Sequence, residues 1–280
     1  MEHKWEWNIL EQFQEELINE EKSDATREKY VRDVRAFLNY MSTAGYINKE
    51  KVVEYKQYLQ EHYAVTSINS MLAAINRFFK FTGWYDCAVK ALRVQKEAFR
   101  SCEKELTRKE YYRLLETARK RGNQRLHLLM QTICSTGIRI SELKYITAEA
   151  VYSGKARVSL KGKTRTVLLP SRLCRMLKHY ARERRIQKGS IFITRNGNPM
   201  DRSNVLHEMK KLSEDAGVDR RKIFPHNFRH LFACTYYRME KDLSHLADLL
   251  GHSSVNTTRI YTQISGEEQI RQIELLGLVV

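Results

Sequence analysis

The chain has 280 residues, 42% of them hydrophobic, so it is long enough for two domains with separate cores, and no apolar run approaches the roughly 18 residues of a membrane span. Its formal net charge is +16, and the excess lies in residues 97–280, which hold 35 basic and 19 acidic side chains; this predicts a polyanionic partner and no membrane partner. Five widely spaced cysteines without a CxxC pair, and a first segment unlike a signal peptide, predict free thiols in a cytoplasmic protein rather than a disulfide framework or zinc site.

The first 96 residues show helical periodicity. In TREKYVRDVRAFLNYM, apolar side chains recur at the spacing of one helix face, at Tyr30, Val34, Phe37, Leu38 and Met41. Similar patterns open at Trp5, continue more weakly over 49–62 and return from Ile68 to Phe79. We therefore predict a domain of four helices over residues 1–96, with its aromatic residues in the core.

A second unit follows a polar, aperiodic segment at 97–105, which is predicted to be a linker. Thr107 and Glu110 have the spacing of a helix capping box, and β-branched residues on both sides of KGK at 161–163 predict a hairpin with a basic tip. Further helices are predicted around 171–187, 202–216, 226–240, 243–250 and 254–261. The fold class predicted is mainly α with a small antiparallel β-sheet: a helical domain followed by an α+β domain over 106–280.

Four short segments of the second domain carry cationic or nucleophilic side chains. They are TGIRISEL with Arg139 and Glu142, the hairpin with Lys161 and Lys163, PHNFRH with His226 and Arg229 on one helix face, and GHSSVNTTRIY with His252 and Tyr261. Each has an ordinary alternative: a surface ion pair, basic residues at strand ends, a helix-capping histidine, or a half-buried aromatic residue.

Together these side chains suit the chemistry of a phosphodiester. Its five-coordinate state concentrates negative charge on oxygens that arginine forks bind in bidentate fashion, and histidines can donate further hydrogen bonds or take a proton. A tyrosine hydroxyl is a weak nucleophile at neutral pH, and neighbouring cations are expected to favour its phenolate by lowering its pKa. A lysine can protonate the departing sugar oxygen.

The segments TGIRISEL, the KGK hairpin, FPHNFRHLFA and LLGHSSVNTTRIYT resemble, in order and spacing, the motifs of the tyrosine recombinases, also called the phage integrase family. The resemblance is strongest over about 106–263, and the N-terminal helices are similar to the family's core-binding, SAM-like domain. It implies a simple two-domain, Xer-like, site-specific recombinase of the nucleoid. Such an enzyme cuts and rejoins double-stranded DNA through a 3′-phosphotyrosyl intermediate without a metal or other cofactor.

The resemblance gives each matching position a role: Arg139 and Arg229 hold the scissile phosphate, Lys161 is the general acid, His226 is a base or hydrogen-bond donor, His252 completes the phosphate pocket, Tyr261 attacks, and Glu142 supports the pocket. The hairpin is one residue shorter than the family's frequent form, so Lys163 is an alternative general acid. His226 and His230 have a spacing that suits zinc, but Arg229 lies between them and no third ligand is near in sequence, so no metal is predicted.

Contacts with DNA are predicted at Arg27, Arg32, Arg35, Lys56, Arg77, Lys163 and Arg165, with a solvated basic face as the alternative for each. The segment of about 264–280 has an apolar stripe at Ile264, Ile270, Ile273, Leu276 and Val279. The resemblance implies that this segment docks on a neighbouring subunit of a homotetramer on DNA; packing on its own domain is the alternative. Two other functions stay open: a relaxing, type IB topoisomerase-like enzyme, and a non-catalytic DNA-binding accessory protein.

Overall fold

The computed structural model describes residues 1–93, 105–160, 163–262, 270–271 and 273–276. The chain divides into two compact units, Met1–Lys96 and Glu97–Val280, and each has its own hydrophobic core. Within the described ranges the chain is mainly helical with one two-stranded antiparallel sheet, so the predicted fold class is confirmed. No helix in these ranges combines the length and the apolar character needed to cross a membrane.

The first unit is built on helices whose apolar faces meet in one core. They are α1 (Ile9–Asn19), α2 (Asp24–Met41), α3 (Lys49–His62) and α4 (Val65–Thr82), followed by a 3₁₀ turn at Tyr85–Cys87. Aromatic rings join the helices: the centroids of Phe13 and Phe78 lie 5.4 Å apart, and those of Phe37 and Phe79 lie 5.6 Å apart. The aromatic residues of the predicted stripes therefore form the core, as expected.

Two asparagines of α4 fix the chain that leaves this unit. The Asn76 side chain accepts a hydrogen bond from the Val89 N–H at 3.0 Å and donates one to the Val89 carbonyl at 2.8 Å. Asn69 makes the same pair with Leu92, at 2.7 and 2.9 Å. Because each amide satisfies both backbone groups of one residue, the chain is held against α4 as far as Leu92.

The second unit begins with helices and a hairpin: α5 (Arg108–Lys120), α6 (Gln124–Thr136), a 3₁₀ helix (Ile140–Tyr145), α7 (Ala148–Ser153), β1 (Lys155–Leu160), β2 (Lys163–Leu168) and α8 (Ser171–Glu183). The predicted capping box is present, since Thr107 and Glu110 exchange hydrogen bonds at the start of α5. The strands pair from Lys155 with Leu168 to Leu160 with Lys163. The α8 helix is shorter than predicted because Arg185 adopts a positive φ of 56°.

The remaining elements carry most of the candidate site: α9 (Arg202–Lys210), α10 (Ser213–Ala216), α11 (Pro225–Glu240), α12 (Leu243–Leu250), α13 (Val255–Thr258) and a 3₁₀ turn (Arg259–Tyr261). The single helix predicted over 202–216 is thus two helices. The α11 helix packs against α6 and buries Phe228 completely in the main core of the unit. This packing brings the end of α6 next to α11.

Candidate active site

Arg139 is positioned by the end of α6 and by a buried glutamate. Gly137 ends α6 in the left-handed conformation, with φ of 62°, and the chain turns into the 3₁₀ helix. Glu142, 1% exposed, accepts hydrogen bonds from the Arg139 backbone N–H at 2.9 Å and from its Nη1 at 3.0 Å. The Arg139 Nη2 also donates to the Gly251 carbonyl at 3.1 Å, which links this turn to the end of α12.

Arg165 of β2 binds the same glutamate from the other side. Its Nη2 donates to Glu142 Oε2 at 2.7 Å, and its Nη1 donates to the Leu249 carbonyl. Burial acts to raise the pKa of Glu142, but the hydrogen bonds from Arg165 and Arg139 outweigh it, so this pKa lies below its ordinary value. Gly251 leaves room for Arg165, because a Cβ there would lie only 2.8 Å from its Nε.

Arg229 lies at the centre of the cluster, on α11, and only 3% of it is exposed. Its Nη1 donates to the Gly137 carbonyl, and its Nη2 donates to the Leu250 carbonyl at 2.8 Å. These carbonyls end α6 and α12, where the helix dipole favours a cation. Burial, followed by repulsion from Arg139, lowers the pKa of Arg229 to about 10, so it stays charged at neutral pH.

His252 follows the turn that ends α12. Its Nε2 lies 3.0 Å from Arg229 Nη2, and its Nδ1 lies 2.8 Å from the hydroxyl of Thr258. Burial and the charge of Arg229, with smaller effects of more distant cations, lower its pKa to about 4. The imidazole is therefore neutral at pH 7 in the absence of an anion.

Tyr261 closes the cluster from the 3₁₀ turn after α13. It is 4% exposed, its ring lies nearly parallel to His252 with centroids 6.2 Å apart, and the edge of its ring meets His230 at 5.1 Å. The expectation that its pKa is lowered is wrong for the protein alone, although the neighbouring cations act in the expected direction. Burial raises the pKa of Tyr261 above 10.0, and this effect exceeds the opposing charge and hydrogen bond of Arg229.

His226 stands at the start of α11, where Pro225 is the first helical residue. Its ring stacks near Phe224, with centroids 6.5 Å apart. Loss of water around the ring, then the charges of Arg229 and Arg202, lower the pKa of His226 below its ordinary value. A neutral His226 can accept a proton at pH 7.

The structure thus brings Arg139, Glu142, Arg229, His252 and Tyr261 together, with His226 beside Arg229. Lys161 and the side chain of Lys163 lie outside the described residues, so the choice between them stays a prediction. Two guanidinium groups, those of Arg139 and Arg165, pair with the carboxylate of Glu142, and a third, that of Arg229, lies close enough to be repelled by Arg139.

The basic residues predicted to contact DNA in the first unit differ in their surroundings. Arg32 and Arg35 are exposed on α2. Arg27 pairs with Asp24, Lys56 donates to the Lys90 carbonyl at 2.7 Å, and Arg77 is held by carboxylates, as described below. Arg32 also pairs with Asp33, at 3.3 Å, but its side chain is 73% exposed, so Arg32 and Arg35 are the exposed arginines of this set.

Sequence reasoning missed two features of the site. Thr258 is completely buried and bonds to His252, yet its sequence context, TTR, carries no signal of such a contact. Arg165 was considered only for DNA contact, whereas its described hydrogen bonds go to Glu142 and Leu249. One signal was available in the sequence. Residues two positions apart in a strand share a face, so Arg165 is expected on the same face of β2 as Lys163, in a hairpin that was already assigned to the site.

A group of potential metal ligands lies outside the candidate site, in the first unit. Among the described residues, the cluster of three potential ligands is His3, Asp86 and Cys87, in the first unit. His3 Nε2 lies 3.0 Å from Asp86 Oδ1, the distance of an ordinary hydrogen bond, so the geometry is that of a side-chain pair which fastens the first residues to the 3₁₀ turn.

The family follows from two sequence matches. Residues 104–268 match the phage integrase family, and residues 10–84 match the N-terminal SAM-like domain of phage integrases. The chain belongs to the phage integrase family, since the first match alone covers more than half of its length. The family resemblance predicted from the motifs is confirmed.

Particular relatives share nearly the whole chain. Tyrosine recombinase XerA of Thermococcus kodakarensis is 29% identical over 282 residues, which covers 97% of this chain and 96% of that protein. The fold matches the XerH site-specific recombinase bound to palindromic difH substrate in a post-cleavage complex, with a TM-score of 0.75, 20% identity and coverage of 90% and 80%. It also matches a lambda integrase tetramer bound to a Holliday junction, with a TM-score of 0.70, 16% identity and coverage of 91% and 76%.

Proposed function

We propose that this protein is a site-specific DNA recombinase that uses Tyr261 to cut and rejoin strands through a 3′-phosphotyrosyl link. The observation that carries this proposal is a cluster of three arginines with one carboxylate: Arg139 and Arg165 pair with Glu142, and Arg229 interacts electrostatically with both Arg139 and the buried Tyr261. Desolvated, like-charged guanidinium groups repel one another, and a phosphate between them relieves that repulsion. The names of the relatives, which are tyrosine and site-specific recombinases, agree with it.

In the reaction, the Tyr261 oxygen attacks phosphorus, and the bond from phosphorus to the 5′-oxygen breaks. Arg139 and Arg229 hold the non-bridging oxygens, and His252 completes the oxygen-binding site. His226 accepts the tyrosine proton, and Lys161 gives a proton to the departing 5′-oxygen. The new ester bond to Tyr261 replaces the ester bond that breaks, so the phosphate remains a diester and a different 5′-hydroxyl can reverse the step and join a new strand.

The approach of a phosphate also changes the chemistry of Tyr261. In the free protein burial keeps its pKa high, so the hydroxyl remains protonated and unreactive. Bound DNA supplies the phosphate that Tyr261 attacks, and His226 removes the proton during attack rather than beforehand. The nucleophile is thus activated where substrate is present.

The direct test is formation of a covalent adduct. A binding site is first selected from random duplex DNA, and a nicked duplex carrying it is incubated with the protein and resolved on a denaturing gel. Wild type should form an adduct, and Tyr261→Phe should form none while binding DNA normally. The matched control is Tyr237→Phe, whose ring packs against the same small core as Tyr261 and whose adduct formation should be unchanged. An adduct formed by Tyr261→Phe overturns the assignment.

The general acid is tested with a leaving group that needs no proton. Lys161→Ala should slow cleavage of ordinary DNA by about 10²- to 10⁴-fold. On a duplex with sulfur in place of the 5′-bridging oxygen, the cleavage rate of the same variant should return towards that of wild type. Lys163→Ala should cleave both duplexes like wild type. The reverse pattern would assign the acid to Lys163.

Phosphate contacts of the first unit are proposed at Arg32 and Arg35, which are exposed on α2. Arg32 lines a groove together with Lys29, Tyr63, Thr66 and Ser67. Replacing either arginine with alanine should weaken DNA binding and reduce the salt slope by about one counterion. Arg77→Ala is the matched control, because the Arg77 guanidinium is bound by two carboxylates and its side chain is only 15% exposed, so the salt slope should be unchanged. If the salt dependence of DNA binding has the same slope in all three variants, the proposal that Arg32 and Arg35 contact phosphates is wrong.

Assembly into a tetramer on DNA is proposed to use segment 264–280. Its described apolar residues are largely exposed, with Ile270 and Ile273 both at 58% and Leu276 at 63%; Ile264 and Val279 lie outside the described residues. Such residues are expected to be covered by a second copy. The lambda integrase named above is a tetramer on its DNA.

This assembly is tested by replacing Ile273 and Leu276 together with glutamate. The doubly substituted protein should bind one half-site normally but fail to pair two duplexes in native gels and mass photometry. Matched glutamate replacement at the exposed Tyr152 should leave pairing intact. Normal pairing by the Ile273 and Leu276 variant overturns the assignment of assembly to this segment. Failure of the wild type to pair two duplexes, together with relaxation of plasmids that lack the selected site, would favour the topoisomerase-like alternative.

A further inference from the structure

The side chain of Thr258 is buried against His252 of the candidate site. It is completely buried at the end of α13, and its Oγ1 lies 2.8 Å from His252 Nδ1. The neighbouring Thr257 is exposed. A buried hydroxyl aimed at one nitrogen of a histidine decides what that nitrogen can do.

The other nitrogen of the ring determines where the proton lies. His252 Nε2 is 3.0 Å from Arg229 Nη2, and a guanidinium is only a donor, so Nε2 must offer its lone pair. A neutral imidazole carries its single proton on the opposite nitrogen. Nδ1 is therefore protonated, and it donates to the Thr258 hydroxyl.

We propose that Thr258 is a positioning residue for His252: its hydroxyl accepts the Nδ1–H and holds the ring so that Nε2 faces the phosphate site. This proposal rests on the proposed function for the role of His252, but its hydrogen bond can be measured without DNA. When a phosphate engages Arg229, the freed Nε2 takes a proton from solvent and becomes a donor to a phosphate oxygen. No other bond breaks, and Nδ1–H continues to donate to Thr258.

The hydroxyl is needed in both forms of the ring. In the neutral form, removing it leaves a buried N–H without an acceptor; in the imidazolium form, the same loss affects a charge-assisted bond and is more costly. The charged and titratable groups that act on this ring are Arg229, Arg139, Arg165 and His226, with Tyr261 stacked on its face. Arg229, Arg139 and Arg165 are cations and disfavour protonation of the ring. The neutral hydroxyl of Thr258 accepts a hydrogen bond from the ring and can favour its protonated form.

The test compares Thr258→Val, which keeps the shape and removes the hydroxyl, with Thr258→Ser, which keeps the hydroxyl. Thr257→Val is the matched control on the exposed neighbour. Adduct formation on the nicked duplex should slow about 10- to 100-fold in Thr258→Val and stay within about threefold of wild type in the other two. Loss in Thr258→Ser equal to that in Thr258→Val would show that packing rather than the hydroxyl matters, and it overturns the proposal.

A second readout uses the free protein labelled with ¹⁵N-histidine, with the His252 signals assigned from His252→Gln. Wild type and Thr258→Ser should show a slowly exchanging proton on His252 Nδ1 and a bare Nε2, and Thr258→Val should lose that protected proton. A proton found on Nε2 in wild type, or an unchanged signal in Thr258→Val, overturns the proposal. If wild type forms no DNA adduct, the proposed function fails while this spectrum still decides the role of Thr258.

Discussion

Two arginine–carboxylate clusters, one in each unit, have opposite charge balances. In the first unit, Arg77 is held by two carboxylates: Nη2 lies 2.9 Å from Glu16 and 2.6 Å from Glu20. In the second unit, Arg139 and Arg165 pair with Glu142, and Arg229 adds a third positive charge close to Arg139. The first cluster has one arginine and two carboxylates, so it carries excess negative charge on a partly exposed surface. The second has three arginines and one carboxylate, so it carries excess positive charge where its carboxylate and Arg229 are buried.

The difference separates structural from functional arginines. The hydrogen bond with Glu20 raises the pKa of Arg77, whereas burial and Arg139 lower the pKa of Arg229 to about 10. A cation whose surroundings disfavour its charge is held there by the fold, through the ends of α6 and α12. Such a site is suited to bind an anion. The Arg77 cluster is not, because its arginine is already neutralised by carboxylates.

Removing one carboxylate from each cluster should give the largest contrast. Glu142→Gln leaves the buried arginines without a counter-charge and should lower the free energy of unfolding by about 3 to 5 kcal/mol. Glu20→Gln leaves Arg77 paired with Glu16 on a partly exposed surface and should cost less than about 1 kcal/mol. Urea unfolding of the full chain measures both, and equal costs would remove the distinction between the clusters.

Glycine replacements test how closely the second cluster is packed. Gly251→Ala puts a methyl group against Arg165 at a φ of 63° and should cost about 2 to 4 kcal/mol. Gly45→Ala, in the first unit, has a similar φ of 75° but open space around the new Cβ, so only the backbone cost of about 1 to 2 kcal/mol applies. Thermal unfolding compares them, and an equal loss would mean that Arg165 moves freely.

Acid should destabilise the second cluster through His252. Its pKa is about 4 in the folded protein and 6.5 ordinarily, so the unfolded chain binds more protons between these values. Stability is therefore full above about pH 6.5 and falls as the pH drops towards 4, by about 2 to 3 kcal/mol. His252→Gln should lack this pH-dependent contribution. The difference in free energy of unfolding between the variant and wild type should therefore become smaller as the pH falls from 7.5 to 4.5. A constant difference would contradict the low pKa.

Periodicity and capping rules predicted most of the local structure. The helices of the first unit, the Thr107–Glu110 capping box and the hairpin all depend on residues close in sequence. The order of the motifs predicted that one site contains Arg139, Arg229, His252 and Tyr261, and the structure places these residues together.

Contacts over long sequence distances could not be predicted. The bond from Arg165 to Leu249 spans 84 residues, and only the packed fold shows that this arginine faces inward. The pKa of Tyr261 was predicted in the wrong direction because the sequence shows the nearby cations but not the burial that outweighs them. Thr258 escaped notice because a buried hydroxyl is recognised by its partner rather than by its neighbours in sequence.

The central claim, that the arginine cluster is built to neutralise one phosphate, is tested most directly by removing the charge from the phosphate. Arg139 is suited to the experiment because its side chain is 33% exposed and can be replaced without opening the core. On an ordinary duplex Arg139→Ala should slow adduct formation by about 10² to 10³, and on a duplex with a neutral methylphosphonate at the scissile position the loss should fall below about tenfold. An equal loss on the two duplexes would contradict the account.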